Sequence, residues 1–278
     1  MDYKRTKLGL CFFDTPENYK MDDIRFNKPQ IHRYFEDGKL INSIIIKEID
    51  QVKINKKEMT YFTPNNVAIL LSISSKSYKE AKALFNDYFK DDNKIFEDDV
   101  PIRSTKFIDY IESIQTSIVF SYTALETFIN LSIPEDYIFE NKNNRGIIEN
   151  YNKEAIERWL DLKNKLNILR EVYKTNKLEN QKWWSYFILL EQYRNSIIHQ
   201  KSIKSTGFYK EYFKNNIFEV CTITEKILKF FYEAHESNNQ TNSIWPWLIN
   251  ESNSFPVENH FDSNNLKVVG NKYEGIKR

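Results

Sequence analysis

The first 75 residues alternate short apolar or β-branched runs with turn-forming residues, a pattern typical of β-strands. Four of these runs predict strands, over residues 7–13, 42–49, 58–63 and 66–74. Apolar residues at helical spacing then predict a helix over residues 77–89. The acidic run at 91–99 precedes Pro101 and predicts a solvated linker.

After Pro101 the apolar positions recur every three or four residues, which is the spacing of amphipathic helices. Four helices are predicted, over residues 104–131, 153–175, 181–200 and 208–235, and together they predict a helical bundle. The Asn-rich residues 135–152 predict a loop. The expected core-facing stripes include Ile108, Tyr122, Leu125, Trp159, Leu166 and Phe231.

These patterns predict an α+β protein in three parts. Residues 1–100 form a small strand-rich α/β region of unknown role, and residues 101–236 form the helical bundle. Residues 237–278 form a polar extension that packs back on the body through its IWPWLI run at 244–249. The alternative for Trp245 and Trp247 in that run is a stacking platform for bases.

Composition excludes several classes of function. The 278 residues carry 40 Lys+Arg against 39 Asp+Glu, and a net charge of +1 excludes a broadly basic coat for nucleic acid. Only 6 Gly argue against a Gly-rich phosphate loop. Cys11 and Cys221 fit no metal or redox spacing and predict buried thiols in a reducing compartment. No run resembles a signal peptide or a membrane span, so we expect a cytoplasmic protein.

The helix predicted over residues 181–200 carries the chemical signal. Its broad apolar face contains Arg194 near the middle and Glu191 within it, while Asn195 and His199 lie along the edge. An arginine stays charged in proteins, so burying it unpaired is costly. Either Arg194 and Glu191 form an i, i+3 pair that plugs the bundle, or Arg194 faces a solvated cleft.

The segment Arg194–His199, RNSIIH, resembles the signature of the HEPN family, which has an Arg, a polar residue next and a His after four to six residues. The upstream segment SYTALETFINLSIP (121–134) also resembles the first long helix of HEPN proteins in bacterial defence and abortive-infection systems. The resemblance covers about residues 103–236. It implies that the C-terminal all-α bundle is HEPN-like.

The resemblance also implies a reaction, a metal-independent endoribonuclease activity without a cofactor, in a toxin or phage-defence effector. The ribose 2′-hydroxyl attacks the adjacent phosphate and leaves a 2′,3′-cyclic phosphate and a 5′-hydroxyl. In this scheme His199 is the general acid or base, Arg194 binds the scissile phosphate, and Asn195 orients the phosphate or His199.

Partners follow from the same resemblance. HEPN proteins commonly pair so that two motifs face one cleft, which implies a homodimer. A nuclease that cuts cellular RNA must be restrained, which implies an antitoxin or a sensor protein.

Helix geometry sets a condition on the pairing of Arg194 with His199, because positions i and i+5 lie about 140° apart on a helix. One chain brings Arg194 and His199 together only if the helix ends or distorts near His199.

Charge around the motif favours RNA as the substrate. Lys201 and Lys204 follow the motif and are expected to bind the RNA backbone. Glu191, Glu126 and Asn130 are the expected supports of the cleft, although Glu126 and Asn130 also fit a surface pair at i, i+4 spacing.

Two other interpretations stay open at this point. The bundle is a catalytically inactive HEPN-like scaffold for dimerisation or RNA binding, or it is a structural adaptor in which Arg194 and Glu191 are only a buried pair. The isolated histidines His32, His235 and His260 form no metal-ligand spacing, so no metal site is predicted.

Overall fold

The computed structural model of the chain describes residues 7–13, 23–27, 30–90, 99–142, 146–199, 206–237, 266–271 and 275–276. The chain folds into two compact units. One unit comprises Met1–Ala68 and Asn239–Arg278, and the other comprises Ile69–Asn238. The first is built mainly from strands and the second mainly from helices, so the predicted α+β layout is confirmed.

The strand unit is a mixed sheet of six described strands. The strands of the chain are β1 (Lys7–Phe13), β2 (Gln30–Glu36), β3 (Lys39–Ile54), β4 (Lys57–Phe62), β5 (Phe139–Lys142), β6 (Ile148–Tyr151), β7 (Leu266–Asn271) and β8 (Gly275–Ile276). The sheet has the order β2-β3-β1-β7-β8, with β4 also paired to β3. The β1–β7 pair is parallel and the others are antiparallel. Strands β5 and β6 form a separate hairpin in the helical unit.

Two tight turns set the register around β3. Asp37 and Gly38 join β2 to β3 with φ of 49° and 73°, and Asn55 and Lys56 join β3 to β4 with φ of 49° and 67°. A two-residue turn with both φ values positive matches the right-handed twist of an antiparallel pair. The Asp-Gly and Asn-Lys dipeptides therefore position both hairpins, although a lysine rarely adopts this backbone conformation.

The helical unit has its core between long amphipathic helices. The helices of the chain are α1 (Asn66–Leu84), α2 (Val100–Ser132), α3 (Lys153–Trp159), α4 (Leu162–Val172), α5 (Trp184–Ile198) and α6 (Ile217–Ser237). Helix α2 contacts α4, α5 and α6. The largest fully buried apolar side chains of this core include Tyr110, Ile114, Leu125, Phe128, Phe187, Tyr212 and Phe231.

Side-chain caps decide where α2, α3 and α4 begin. The Asp99 carboxylate accepts a hydrogen bond from the Ile102 amide at 3.0 Å, and Pro101 occupies the first turn of α2. The Asn152 side chain caps α3 in the same way, and the Asp161 carboxylate caps α4. Each cap satisfies a main-chain N–H that has no acceptor within its own helix.

The strand predicted over residues 66–74 is wrong, because this run forms the first half of α1. Its buried residues Val67, Ala68, Leu71 and Ser74 follow helical spacing. Asn65 accepts a hydrogen bond from the Ala68 amide at 3.0 Å and so caps the start. A short apolar run fits a buried strand and a buried helix equally well, so the pattern alone did not separate them.

Four further predictions for the helical unit need correction. The helix predicted over 153–175 is divided into α3 and α4, because Asp161 leaves the helical conformation to cap α4. The loop predicted over 135–152 contains the β5–β6 hairpin. The helix predicted over 208–235 is a 3₁₀ segment, Thr206–Phe213, followed by α6. Two residues expected in the core, Ile108 and Trp159, are instead exposed.

The boundary between the two units lies after Ala68, whereas the sequence predicted a boundary at residue 100. Helix α1 continues into a π-helical turn, Phe85–Phe89, whose half-buried Phe rings pack against aromatic residues of the helical unit. The centroid of the Phe89 ring lies 4.7 Å from that of Phe107 and 5.6 Å from that of Phe213. At the other end, β7 and β8 give the predicted C-terminal extension a place in the sheet. The acidic residues 91–98 and the IWPWLI run lie outside the described residues.

Within the described parts of the chain, none of the helices combines the length and apolarity that a membrane crossing requires.

Candidate active site

The predicted motif lies at the C-terminal end of α5. Phe187, Leu190 and Tyr193 anchor this helix in the core. His199 directly follows the last helical residue, with φ of −117° and ψ of 46°. Its amide donates a hydrogen bond to the Asn195 carbonyl oxygen at 2.9 Å. The condition that the helix ends near His199 is therefore met in this structure.

Arg194 is held by an aromatic ring and by its neighbour in sequence. Its guanidinium carbon lies 4.8 Å from the centroid of the Tyr122 ring, which is within cation–π distance. Its Nη1 donates a hydrogen bond to Asn195 Oδ1 at 3.0 Å. Arg194 is half-buried, whereas Tyr122 on α2 is only 7% exposed. The arginine on the apolar face of α5 thus rests on a buried ring of a neighbouring helix.

Glu191 does not neutralise Arg194 by direct contact. Among the described residues, no carboxylate oxygen lies within 4.0 Å of the Arg194 guanidinium nitrogens. Burial and the nearby Asp161 carboxylate raise the pKa of Glu191, whereas Lys163 and Arg194 oppose that shift. The buried Glu191–Arg194 ion pair that the structural-adaptor interpretation requires is therefore absent from the described part of the chain.

The Tyr122 hydroxyl lies in an acidic surrounding. Burial raises the pKa of Tyr122 to about 12, and the carboxylates of Glu126, Glu191 and Asp161 add to that increase. Arg194 opposes it, because a cation favours the phenolate. The charged residues that act on the Tyr122 hydroxyl come from α2, α5 and the start of α4.

Glu126 has a partner that the sequence did not reveal. Its Oε1 lies 3.2 Å from the Nζ of Lys165, and the same ammonium donates to the Glu157 carbonyl oxygen at 2.8 Å. Lys165 is 1% exposed, so this ion pair satisfies a cation that the fold has removed from water. Asn130, one turn further along α2, has a buried side-chain oxygen that finds no hydrogen-bond partner among the described residues.

Of the other predicted site residues, the structure describes Asn195 and His199 but not the two lysines that follow them. The side chains of Asn195 and His199 are exposed at the end of α5, where a substrate in solution can reach them. Lys201 and Lys204 lie outside the described residues. Within the described part of the chain, no three His, Cys, Asp or Glu side chains come close enough together to hold a metal ion.

Sequence reasoning missed Tyr122, Asp161 and Lys165 as members of this neighbourhood. Tyr122 was predicted as a core residue of its helix, and it is indeed buried. Its spacing of four residues from Glu126 offered one signal, because i and i+4 side chains share a helix face. Nothing in the sequence indicated that the face would meet Arg194, since this contact joins residues that are 72 positions apart.

The helical unit has a counterpart among known protein families. Residues 107–241 are similar to the YopA C-terminal domain. The match to the YopA C-terminal domain begins within α2, ends just after α6 and includes all of the residues around Arg194. No curated protein and no solved structure matches the chain.

Proposed function

We propose that the helical unit is a HEPN-like, metal-independent endoribonuclease that acts as a toxin or phage-defence effector. The state of Arg194 supports this proposal best. Its guanidinium is stacked on Tyr122 and bonded to Asn195, but it has no ion-paired carboxylate among the described residues. A phosphate group is a suitable partner for such an arginine, because charge-assisted hydrogen bonds to phosphate are strong.

The proposed chemistry uses the three motif residues. His199 accepts the proton of the ribose 2′-hydroxyl, and that oxygen attacks the adjacent phosphorus atom. The bond from phosphorus to the 5′-oxygen breaks, and a proton from a general acid leaves a 5′-hydroxyl beside the 2′,3′-cyclic phosphate. Arg194 stabilises the negative charge that develops on the phosphate oxygens. Asn195 holds the guanidinium through its side chain and His199 through its main-chain carbonyl.

We also propose that the active form is a homodimer, in which the second motif supplies the general acid. Ile198, next to His199, is an exposed apolar residue at the end of α5, which suits a contact between copies. Lys201 and Lys204 would hold the RNA backbone beside this cleft. An antitoxin or sensor protein would restrain the activity until it is needed.

Cleavage of a fluorescent single-stranded RNA in EDTA tests the proposal. The wild-type dimer should cut the RNA and leave 2′,3′-cyclic phosphate ends, which mass spectrometry identifies. His199→Ala should slow the reaction about 10²–10⁴-fold and Arg194→Ala about 10²–10³-fold. A substrate with 2′-deoxyribose throughout should stay intact, because it lacks the nucleophile.

A matched control is available in Arg158, an exposed arginine that stacks on the Trp159 ring at 4.9 Å. Arg158→Ala should cut at the wild-type rate. Intact RNA with the wild-type dimer, or cleavage that requires a divalent metal, would contradict the mechanism. Binding of RNA without cleavage would instead favour the inactive scaffold.

A further inference from the structure

The contact between Tyr122 and Arg194 joins two helices that are distant in sequence. The ring belongs to α2 and is almost completely buried, while the guanidinium belongs to the last turns of α5. Their separation of 4.8 Å lies well inside the range of about 6 Å over which a cation is attracted to an aromatic face. A buried ring has little freedom to rotate or shift, so it forms a fixed support for a long and otherwise flexible side chain.

The charged residues nearby make this support significant. Glu126, Glu191 and Asp161 all influence Tyr122 electrostatically, and each would attract a mobile arginine. Yet Glu126 is engaged by Lys165, and Asp161 accepts a hydrogen bond from the Asn164 amide as the cap of α4. Two of the three carboxylates are therefore already held, and Arg194 stays on the ring instead of forming an ion pair in the described structure.

We propose that Tyr122 is the positioning residue for Arg194, holding its guanidinium in place to receive one phosphate of an RNA strand. This inference rests on the proposed function. Arg194 has five N–H donors, and one of them already binds Asn195. The guanidinium lies over the Tyr122 ring, and its Nη1 is held by Asn195. Its other N–H donors therefore point in a restricted set of directions. Tyr122 does not touch the substrate, and its effect acts entirely through Arg194.

The ring and the hydroxyl of Tyr122 are separable by substitution. Tyr122→Phe keeps the aromatic face and should bind and cut RNA within about threefold of the wild type. Tyr122→Leu removes the face and should lower kcat/KM by about threefold to thirtyfold, the range expected for a cation–π contact. Tyr173→Leu is the matched control, because Tyr173 is also buried, at 5% exposed, but its ring packs against Phe231 of α6.

A double-mutant cycle separates positioning from a purely structural role. Affinity for a 2′-O-methyl RNA, which cannot be cut, is measured by fluorescence anisotropy for Tyr122→Leu, Arg194→Ala and the double variant. We expect Tyr122→Leu to weaken binding in the wild-type background and to have no further effect once Arg194 is alanine. Equal losses in both backgrounds, or equal losses in Tyr122→Leu and Tyr173→Leu, would overturn the proposal.

A second measurement needs no disruptive variant. The Arg194 Hδ protons of the wild-type protein, identified by their absence in Arg194→Ala, should show an upfield NMR shift from the Tyr122 ring. That shift should persist when the 2′-O-methyl RNA is added. Its loss on binding would mean that Arg194 leaves the ring to meet RNA, and positioning by Tyr122 would be wrong.

The two proposals fail in different ways. If the wild-type protein binds RNA through Tyr122 and Arg194 but cuts nothing, the nuclease is wrong and the positioning role stands. If the wild type cuts RNA and Tyr122→Leu is folded and cuts equally fast, the positioning role is wrong and the nuclease stands. If the wild type neither binds nor cuts RNA, both are wrong.

Discussion

At the residue scale, this protein compensates buried charges in two different ways within one neighbourhood. Arg194 is stacked on an aromatic ring and remains half-buried. Lys165 is fully buried and depends on the Glu126 carboxylate and the Glu157 carbonyl oxygen. The difference is functional in the proposed site, because the first cation can still receive a ligand and the second cannot. Glu126 therefore has a structural task as well as a place near the motif.

Removing the Glu126 carboxylate should destabilise the fold. Glu126→Ala leaves the Lys165 ammonium buried with one main-chain acceptor, and we expect a loss of about 3 kcal/mol in the free energy of unfolding. Glu126→Gln keeps an acceptor and should cost less. Glu135→Ala is the control, since Glu135 is 89% exposed and its pair with Lys153 at 3.1 Å should contribute below about 1 kcal/mol. Urea unfolding measures all three, and similar midpoints for Glu126→Ala and Glu135→Ala would refute the buried-pair role.

At the element scale, the predictions succeeded where the pattern was long and failed where an element depended on distant contacts. The helix predicted over 104–131 ends within one residue of α2, because its period holds over many turns and Pro134 marks the stop. The predicted start is four residues late, because Asp99 caps the helix and Pro101 lies in its first turn. The run 66–74 was assigned to the wrong class, because a short apolar segment takes its conformation from its surroundings. The position of Arg194 on α5 was predictable from spacing, whereas Tyr122 as its support was not.

Buried polar contacts connect these helices to each other. The Tyr110 hydroxyl on α2 donates to the Tyr212 carbonyl oxygen in the 3₁₀ segment at 2.7 Å. Ser121 on α2 and Thr224 on α6 form a second such link, with their side-chain oxygens 2.9 Å apart. Both hydrogen bonds are shielded from water. A donor or acceptor that lost its partner there could not bond to solvent instead, and the fold would be less stable. These contacts fix which faces of the helices meet.

The Tyr110 bond makes a measurable test of this coupling. Tyr110→Phe keeps the ring and removes the donor, and we expect it to lower the free energy of unfolding by about 1–2 kcal/mol. Tyr137→Phe removes a comparable bond to Glu171 at 3.2 Å on the surface and should change stability by less than about 0.5 kcal/mol. Thermal unfolding of both variants decides the matter, and equal melting temperatures would show that the buried bond contributes nothing.

At the scale of the whole molecule, the chain leaves one unit and returns to it. Residues Met1–Ala68 and Asn239–Arg278 form the strand unit, and the entire helical unit is inserted between them. Composition and periodicity predicted three parts that follow one another along the chain. No local signal indicates that the last strands pair with the first strand. The parallel pairing of β1 with β7 is a long-range choice, which short-range patterns cannot predict.

Truncation before Leu266 tests the independence of the two units. Among the described strands, removing β7 and β8 leaves β1 with β3 as its only partner. We expect amide hydrogen exchange in β1 to become at least about tenfold faster, while α2 and α5 keep their protection. Hydrogen exchange with mass spectrometry resolves these segments. Equal acceleration in α2 and α5 would mean that the helical unit depends on the completed sheet.

The β1–β7 pair has a consequence for how the protein is made. Leu8 and Lys267 are register partners about 260 residues apart. The edge of β1 that pairs with β7 therefore stays unpaired until the whole helical unit has been synthesised. At typical rates of roughly 5–20 residues per second, that interval lasts roughly 13–50 s. An unpaired strand edge is a template for pairing with other chains, so the protein is open to such association while it is being synthesised. The residues around Arg194 emerge earlier and can assemble before the sheet is closed.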